Sequence, residues 1–339
     1  MIRFEEMREL SDENTGRLVA LLERGSLLQY VDGESNRVPY ELSANMAETD
    51  ERLRANSWLS PVSRLSRHFA GPYFSYLQSC GLDAMLALAH QAEGEERDIF
   101  LAIVLSTASE VVNTIGKHFA QPIRPTNSRG EIKFGLLQGA IRQRAVDPFA
   151  VAMSFAERYA EMSVAEASHE AVCMDYEAFL NDQRLSDIAV VYADPPYTRD
   201  HYSRFYHVLE TMVLSGDPEV STSNIRSSVP RLSRGLYRRD RHQSPFSIIS
   251  RAPAAFKILF ERISARRIPL VLSYSGYDSG NRSRPRVMQI DAVSTLARRY
   301  FPYVSVESAG RFSHAKLNLQ GTHAPRDFDA EALIICTFI

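Results

Sequence analysis

The sequence predicts an α/β fold in which a helical N-terminal region precedes an open sheet of parallel character. Two observations carry that expectation. Apolar residues recur at helical spacing up to about residue 165, and short apolar runs alternate with helical or loop segments after it. The chain's 339 residues, 45% hydrophobic and 24% charged, suffice for a sizeable core in one large domain or two.

Taken in order, residues 11–24 open with Ser11 and carry Leu18, Leu21 and Leu22, which predicts a helix starting near Ser11. Residues 25–61 are polar and weakly periodic, with Gly33, Pro39 and Trp58 as landmarks, and read as an arm. Residues 81–116 read as two helices joined by Gly94, Glu95 and Glu96. A loop marked by Pro122, Pro125 and Gly130 follows, and helices are expected again over 132–145 and 147–162. Strand-like runs then appear at Ala171–Met174, Ile188–Ala193, Ile268–Ser273, Val304–Val306 and Leu333–Phe338, the last two suited to an antiparallel hairpin at the sheet edge. The expected divisions are an arm with a helix over 1–65, a helical region over 66–165 and an α/β half over 166–339.

Composition excludes several classes. The longest aliphatic or aromatic run, Ile99–Leu105, is far short of the roughly 20 residues a membrane helix needs. The first ten residues lack the basic and apolar blocks of a secretory signal, so a cytoplasmic location is expected. Cys80, Cys173 and Cys336 form neither a disulfide framework nor a CxxC knuckle and are expected in the core. The nine histidines give no metal-ligand spacing, and Ser273-Tyr274-Ser275 lacks the GxSxG setting of a hydrolase nucleophile. Net charge is only -2, but it is unevenly spread. Residues 1–56 hold twelve Asp and Glu against seven Arg, whereas residues 226–242 hold six Arg and one Asp. Only four basic residues are Lys (Lys117, Lys133, Lys257, Lys316); the Arg bias suits phosphates and base edges, and a genome rich in G and C produces it equally.

The most informative residues are Asp194, Pro195, Pro196 and Tyr197, directly after the strand-like run Ile188–Ala193. In open α/β sheets ligands sit beyond the carboxyl ends of strands. Two prolines fix the backbone and remove two N–H donors, leaving carbonyl oxygens and the Asp194 carboxylate as acceptors. Acceptors suit an amino group. An exocyclic aromatic amine is a poor nucleophile because its lone pair is delocalised, and accepting both its hydrogens stabilises the positive charge that builds when it attacks a methyl group. Tyr197 supplies a flat face that offsets stacking lost when a base leaves its helix.

With its flanking strand and the His/Tyr/Arg-rich stretch after it, this tetrapeptide resembles the DPPY-containing amino-methyltransferases, and among them the adenine-specific DNA methyltransferases of the Dam-like (D12) class. The run Ser233–Phe246, the strand-like Pro269–Gly276 and the late Arg311–Asn318 are similar to further pieces of that family. The resemblance covers residues 66–339 and is firmest from 170 onward. It implies a partial Rossmann-like methyltransferase sheet of late strands, S-adenosylmethionine as cofactor, methyl transfer to adenine N6 in DNA, and a role in restriction-modification or antiviral defence. By the same resemblance, Asp194 and the Pro195 carbonyl bind the target amino group, Pro196 holds the turn and Tyr197 stacks on the flipped base. Asp175 is similar in position to the family's acidic residue near the cofactor adenosine, though an Asp there also reads as a turn former. His201, Tyr202, Arg204, Tyr206 and His207 fall on an expected helix opening after the site, some facing it and others the core.

Such methyltransferases begin their sheet with a strand ending in a glycine-rich FxGxG turn, which lets the backbone approach the cofactor. This chain has none: Phe69–Gly71 follows a polar Arg-rich stretch, and Gly276 to Gly280 comes after Asp194. The expectation is a second protein subunit carrying the glycine-rich half. An open sheet edge and half a core are costly to leave uncovered. In the basic segment, Arg231, Arg234, Arg238, Arg239 and Arg241 read as DNA contacts together with Tyr202 and Arg204; a solvated Arg-rich loop is the plainer reading. Lys316 suits a phosphate or a surface position. Two other readings stand beside the leading one: a non-catalytic DNA-binding or specificity subunit on a degenerate scaffold, and the same chemistry on RNA bases or protein glutamine.

Overall fold

A computed structural model describes residues 11–31, 40–55, 63–162, 169–214, 218–223, 231–275, 286–308 and 331–339. Gly33, Pro39, Trp58, Gly276–Gly280 and the run Arg311–Asn318 with Lys316, singled out above, lie outside the described residues. The protein is mixed α/β and divides into two units, one of residues 1–164 and 203–241, the other of 165–202 and 242–339.

The first unit is helical. Its α1 helix, Asp12–Arg24, starts where the cap signal places it, with the Ser11 hydroxyl accepting from the Asn14 N–H. Leu21 of α1 buries against Leu42 and Met46 of α2, Tyr40–Ala55, while Leu18 and Leu22 bury against Leu137 and Ala140. The expected arm is thus corrected, since a packed helix occupies much of it. Only Leu42 and Met46 of α2 are buried, so its face is too narrow to show as a sequence period.

Helix α3, Arg64–His68, leads to α4, Tyr76–Gln91, which starts earlier than the apolar pattern because Ser75 and Gln78 form a capping box. Helix α5 spans Gly94–Val111, so the expected joint at residues 94–96 is instead its first turn; Glu95 and Glu96 complement the positive helix end there. Helices α6, Phe134–Arg144, and α7, Pro148–Ala160, follow the sequence reading, the latter capped by Asp147 with proline in its first turn. Helix α9, Ser203–Val213, packs Val208 and Met212 into the same core as Phe69, Tyr73 and Leu101. The hairpin of β2, Thr222–Ser223, and β3, Arg231–Leu232, completes this unit.

Asp83 of α4 is a buried anchor: its carboxylate accepts from the Leu65 and Ser66 N–H groups and the Ser66 hydroxyl, at 2.8, 2.9 and 2.7 Å. Those N–H groups lie in the first turn of α3, where no intrahelical acceptor exists.

The second unit is built on a four-stranded sheet in the order β1 (Val191–Ala193), β4 (Leu270–Tyr274), β6 (Ala332–Thr337), β5 (Tyr303–Ser308). Strand β1 runs parallel to β4, with Val191 opposite Leu270 and Ala193 opposite Leu272. The other two pairings are antiparallel, so the expected hairpin partners do pair, with β5 at the edge and β6 inside. Helices α8 (Tyr176–Leu180), α10 (Ala252–Ala265) and α11 (Ile290–Ala297) contribute to one core with Leu270, Leu272, Tyr274, Ile334 and Cys336.

The expected strand at Ala171–Met174 is absent. These residues are exposed and have no sheet neighbour, and a short apolar run without a ladder partner has nothing to hold it extended. The cysteines also divide: Cys336 is in the core, whereas Cys80 and Cys173 are exposed.

Asp83→Ala, which strips two buried N–H groups of their acceptor, is expected to cost roughly 2–4 kcal/mol. Denaturant unfolding measures this; a loss below about 0.5 kcal/mol would show that the Asp83 bonds are not what secures α3.

Candidate active site

Strand β1 ends at Ala193, and Asp194, Pro195, Pro196 and Tyr197 continue from its carboxyl end. The neighbouring strand β4 fixes this position through the Val191 N–H, which donates to the Pro269 carbonyl at 2.9 Å. On its far side the segment is tied down again: Thr198 forms a bridge with Arg286, and the Val287 N–H donates to the Tyr197 carbonyl at 3.0 Å. Pro195 is buried, whereas Asp194 is exposed. Pro195 therefore anchors the turn, and the Asp194 carboxylate stands at its open side, partly shielded from water.

Tyr197 is held by its surroundings. Its ring meets the Tyr274 ring edge-on at 6.0 Å, and the Arg286 guanidinium lies 4.7 Å from its centroid. Planar guanidinium against an aromatic ring is an attractive, orienting contact. Arg286 also donates to the Ser275 hydroxyl, which fixes the guanidinium beside the ring.

Asp194 carries a raised pKa, caused first by desolvation at the sheet end and then by the negative charge of Glu331. Glu331 immediately precedes β6, and its Oε1 accepts from the buried Ser273 hydroxyl of β4 at 2.9 Å. Sheet pairing thus brings a second carboxylate toward Asp194 from far along the chain. Neither Glu331 nor Arg286 was singled out by sequence, because each belongs to no local motif.

Asp175 is the N-cap of α8. Its carboxylate accepts from the Glu177 N–H at 2.8 Å, the turn-former arrangement, and the residue is exposed. Tyr202, the last residue before the second unit's break, is partly exposed.

The basic residues divide by partner within the first unit. Arg204 and Arg241 both lie over the Tyr237 ring, at 5.1 and 5.7 Å. Arg238 faces Glu210 at 3.9 Å and Arg239 pairs with Glu219 at 2.6 Å. Arg234 donates to the Ile123 carbonyl, and Arg231 sits on β3 opposite Ser223. Of the histidine and tyrosine candidates here, Tyr206 is exposed and His207 is buried among Phe69, Tyr73 and Tyr237. Burial pushes the His207 pKa down to about 4 against the opposing pull of the Arg204 and Gly235 carbonyls, so its place is the core. Among the described residues no group of His, Cys, Asp and Glu is arranged to hold a metal, and no helix is long and apolar enough to cross a membrane.

The Asp194 carboxyl is expected to titrate above the ordinary aspartate range. Glu331→Gln removes the repulsive charge and should bring it down part of the way, leaving the larger desolvation effect in place. Carboxyl-carbon NMR titration reads both; an Asp194 pKa unmoved by the substitution would dissociate the two carboxylates.

Comparison with curated proteins and with solved structures returned no match. A family model does match, over residues 144–252, a span that includes Asp175, Asp194–Tyr197, Tyr202, Arg204 and the basic segment. That family is the D12 class N6 adenine-specific DNA methyltransferase, and the similarity to it extends over this span of the chain.

Proposed function

We propose that the chain is the base-binding, catalytic subunit of a two-chain, S-adenosylmethionine-dependent DNA adenine-N6 methyltransferase. The observation that carries this reading is the placement of an exposed Asp194 and a proline-fixed turn at the carboxyl end of a sheet strand, inside the family match. In this reading Asp194 and the Pro195 carbonyl accept the two hydrogens of a flipped adenine's amino group. Held this way, the nitrogen would move toward tetrahedral geometry with its lone pair freed from the ring, and the carboxylate charge would stabilise positive charge building on it. Tyr197, oriented by Arg286 and Tyr274, stacks on the base. Only ionised Asp194 does this work, so its raised pKa makes the rate fall as the solution is acidified through it.

S-adenosylmethionine is the methyl donor of methyltransferases of this kind, but the described residues do not by themselves fit it. The unit that carries Asp194 has no glycine among its described residues. Asp175 is engaged as a helix cap. Gly71, at φ +87°, owes its glycine to Gly25, whose backbone a Cβ there would meet at 2.6 Å. We therefore assign the glycine-rich half to a second polypeptide. The sheet supports this: among the described residues β1 pairs on one side only, and Ile188 and Val190 just before it and Tyr192 within it are exposed at 40, 52 and 63%. A strand with one open edge and apolar side chains in water invites a further strand. Basic side chains of the 204–241 segment would supply phosphate contacts, with a steep dependence on salt.

The test is transfer of labelled methyl groups from S-adenosylmethionine to duplex DNA by the chain purified from its native host with whatever associates with it. Asp194→Ala is expected to lower the rate by 10²-fold or more, the scale of losing one transition-state contact, with association retained. Undiminished transfer by that variant overturns the role of Asp194. Full-rate transfer by the single purified chain overturns the two-chain assignment, and DNA binding without transfer in every preparation favours a specificity subunit.

A further inference from the structure

Within the helical unit, and independent of the methyltransferase reading, a cavity of about 550 Å³ is lined by cations from separate segments. Arg24 ends α1, Arg124 and Lys133 bracket the loop before α6, and Arg231 and Arg234 belong to the β3 segment. Among the described residues Glu23 is the one carboxylate of the lining, and one of its oxygens already accepts from the Thr126 hydroxyl at 3.2 Å. Five cations lining one cavity repel each other where water is partly excluded, and an incoming anion relieves that repulsion. The Arg234 pKa registers this strain, lowered first by burial and then by the charge of Arg124.

A second observation points the same way. Gln29, also lining the cavity, is only 4% exposed, and its Oε1 has no hydrogen-bond partner. A buried amide oxygen without a partner is costly, and a 180° turn of the amide presents its two N–H donors instead. Thr126, Asn127 and Ser128 on the loop add short polar side chains to the wall. Guanidinium forks combined with hydroxyl and amide donors match the several oxygens of a phosphate group better than a single carboxylate.

We propose that this cavity is a phosphate-binding site, taking the phosphates of a nucleic-acid strand or of a free nucleotide. The volume exceeds one phosphate and lies in the range of small-ligand pockets, so two neighbouring phosphates or a phosphate with its sugar fit. The cavity takes only part of the basic segment: Arg231 and Arg234 line it, Arg234 also donating to the Ile123 carbonyl, whereas Arg238, Arg239 and Arg241 lie outside its lining, beside Glu210, Glu219 and Tyr237.

The full chain is titrated with three probes: a fluorescent duplex DNA, ATP and inorganic pyrophosphate. At least one is expected to saturate at about 0.1 M salt, with its Kd raised roughly tenfold or more by Arg124→Ala and by Lys133→Ala. Arg129→Ala, on the same loop but outside the lining, should stay within about twofold. Circular dichroism checks that each variant folds; Lys133→Gln stands in where the alanine does not. Loss confined to duplex identifies a strand as the source of the phosphate, and loss of ATP or pyrophosphate binding identifies a free one. No saturable binding of any probe, or equal weakening by Arg129→Ala, overturns the site. Methyl transfer is not the readout, so a chain that binds but does not methylate keeps the cavity and loses only the methyltransferase reading.

Discussion

The register between β1 and β4 is the constraint on which the candidate active site depends. Strand β1 is three residues long and pairs with one neighbour among the described residues, so its position is inherited entirely from β4. Side chains alternate along a strand, and a slip of one residue would send Asp194 to the opposite face. The register is secured from the core side. Leu270, Leu272 and Tyr274 of β4 are fully buried, and β6 holds β4 from its other edge. Beyond the strand the Thr198–Arg286 bridge clamps the far end of the tetrapeptide, leaving the prolines to span two fixed points. A turn with so few conformational options loses little entropy when it meets a substrate.

The same economy explains what many arginines do. Arg64 is buried and donates to the Thr211 and Leu214 carbonyls at the end of α9, at 2.9 and 2.7 Å, where no intrahelical donor remains. Arg144, also buried, donates to the Gly71 carbonyl. A guanidinium reaches several acceptors from one planar fork, which a lysine ammonium does less well. Part of the Arg bias thus reflects internal carbonyl capping, and Arg234 combines the two roles, donating to the Ile123 carbonyl while it lines the cavity near Gln29.

How legible these features were in the sequence depended on whether their cause was local. Ser11 announced its helix because a cap is a contact between near neighbours. The tetrapeptide announced its place after a strand for the same reason, being contiguous and preceded by an apolar run. By contrast α2 has two buried anchors whose partners lie on α1 and around Tyr76, so its helical nature shows only once those are assembled. Residues 171–174 mislead in the opposite sense, apolar enough for a strand yet without a ladder partner. Glu331 and Arg286 reach the tetrapeptide through sheet pairing and a bridge, and Gln29 reaches the cavity through helix packing. No window of the sequence contains both ends of those contacts.

The side of β1 that has no sheet neighbour among the described residues joins the fold to the proposed division of labour. An edge strand in a finished sheet is normally short, charged, bulged or covered. Strand β1 is short, but Val190 and Tyr192 beside and within it are more than half exposed, and no charged residue interrupts Ile188–Ala193. Charge there would guard against unwanted pairing, and its absence costs nothing only if a proper partner occupies the edge. A glycine-rich strand is the partner that the proposed chemistry needs, since close backbone approach to a methyl donor requires residues without a Cβ, which the described part of this unit lacks. Among the described residues the apolar exposure beside β1 and the lack of glycine are separate features, one of packing and one of chemistry, and in the proposed two-chain enzyme one added strand beside Asp194 would answer both.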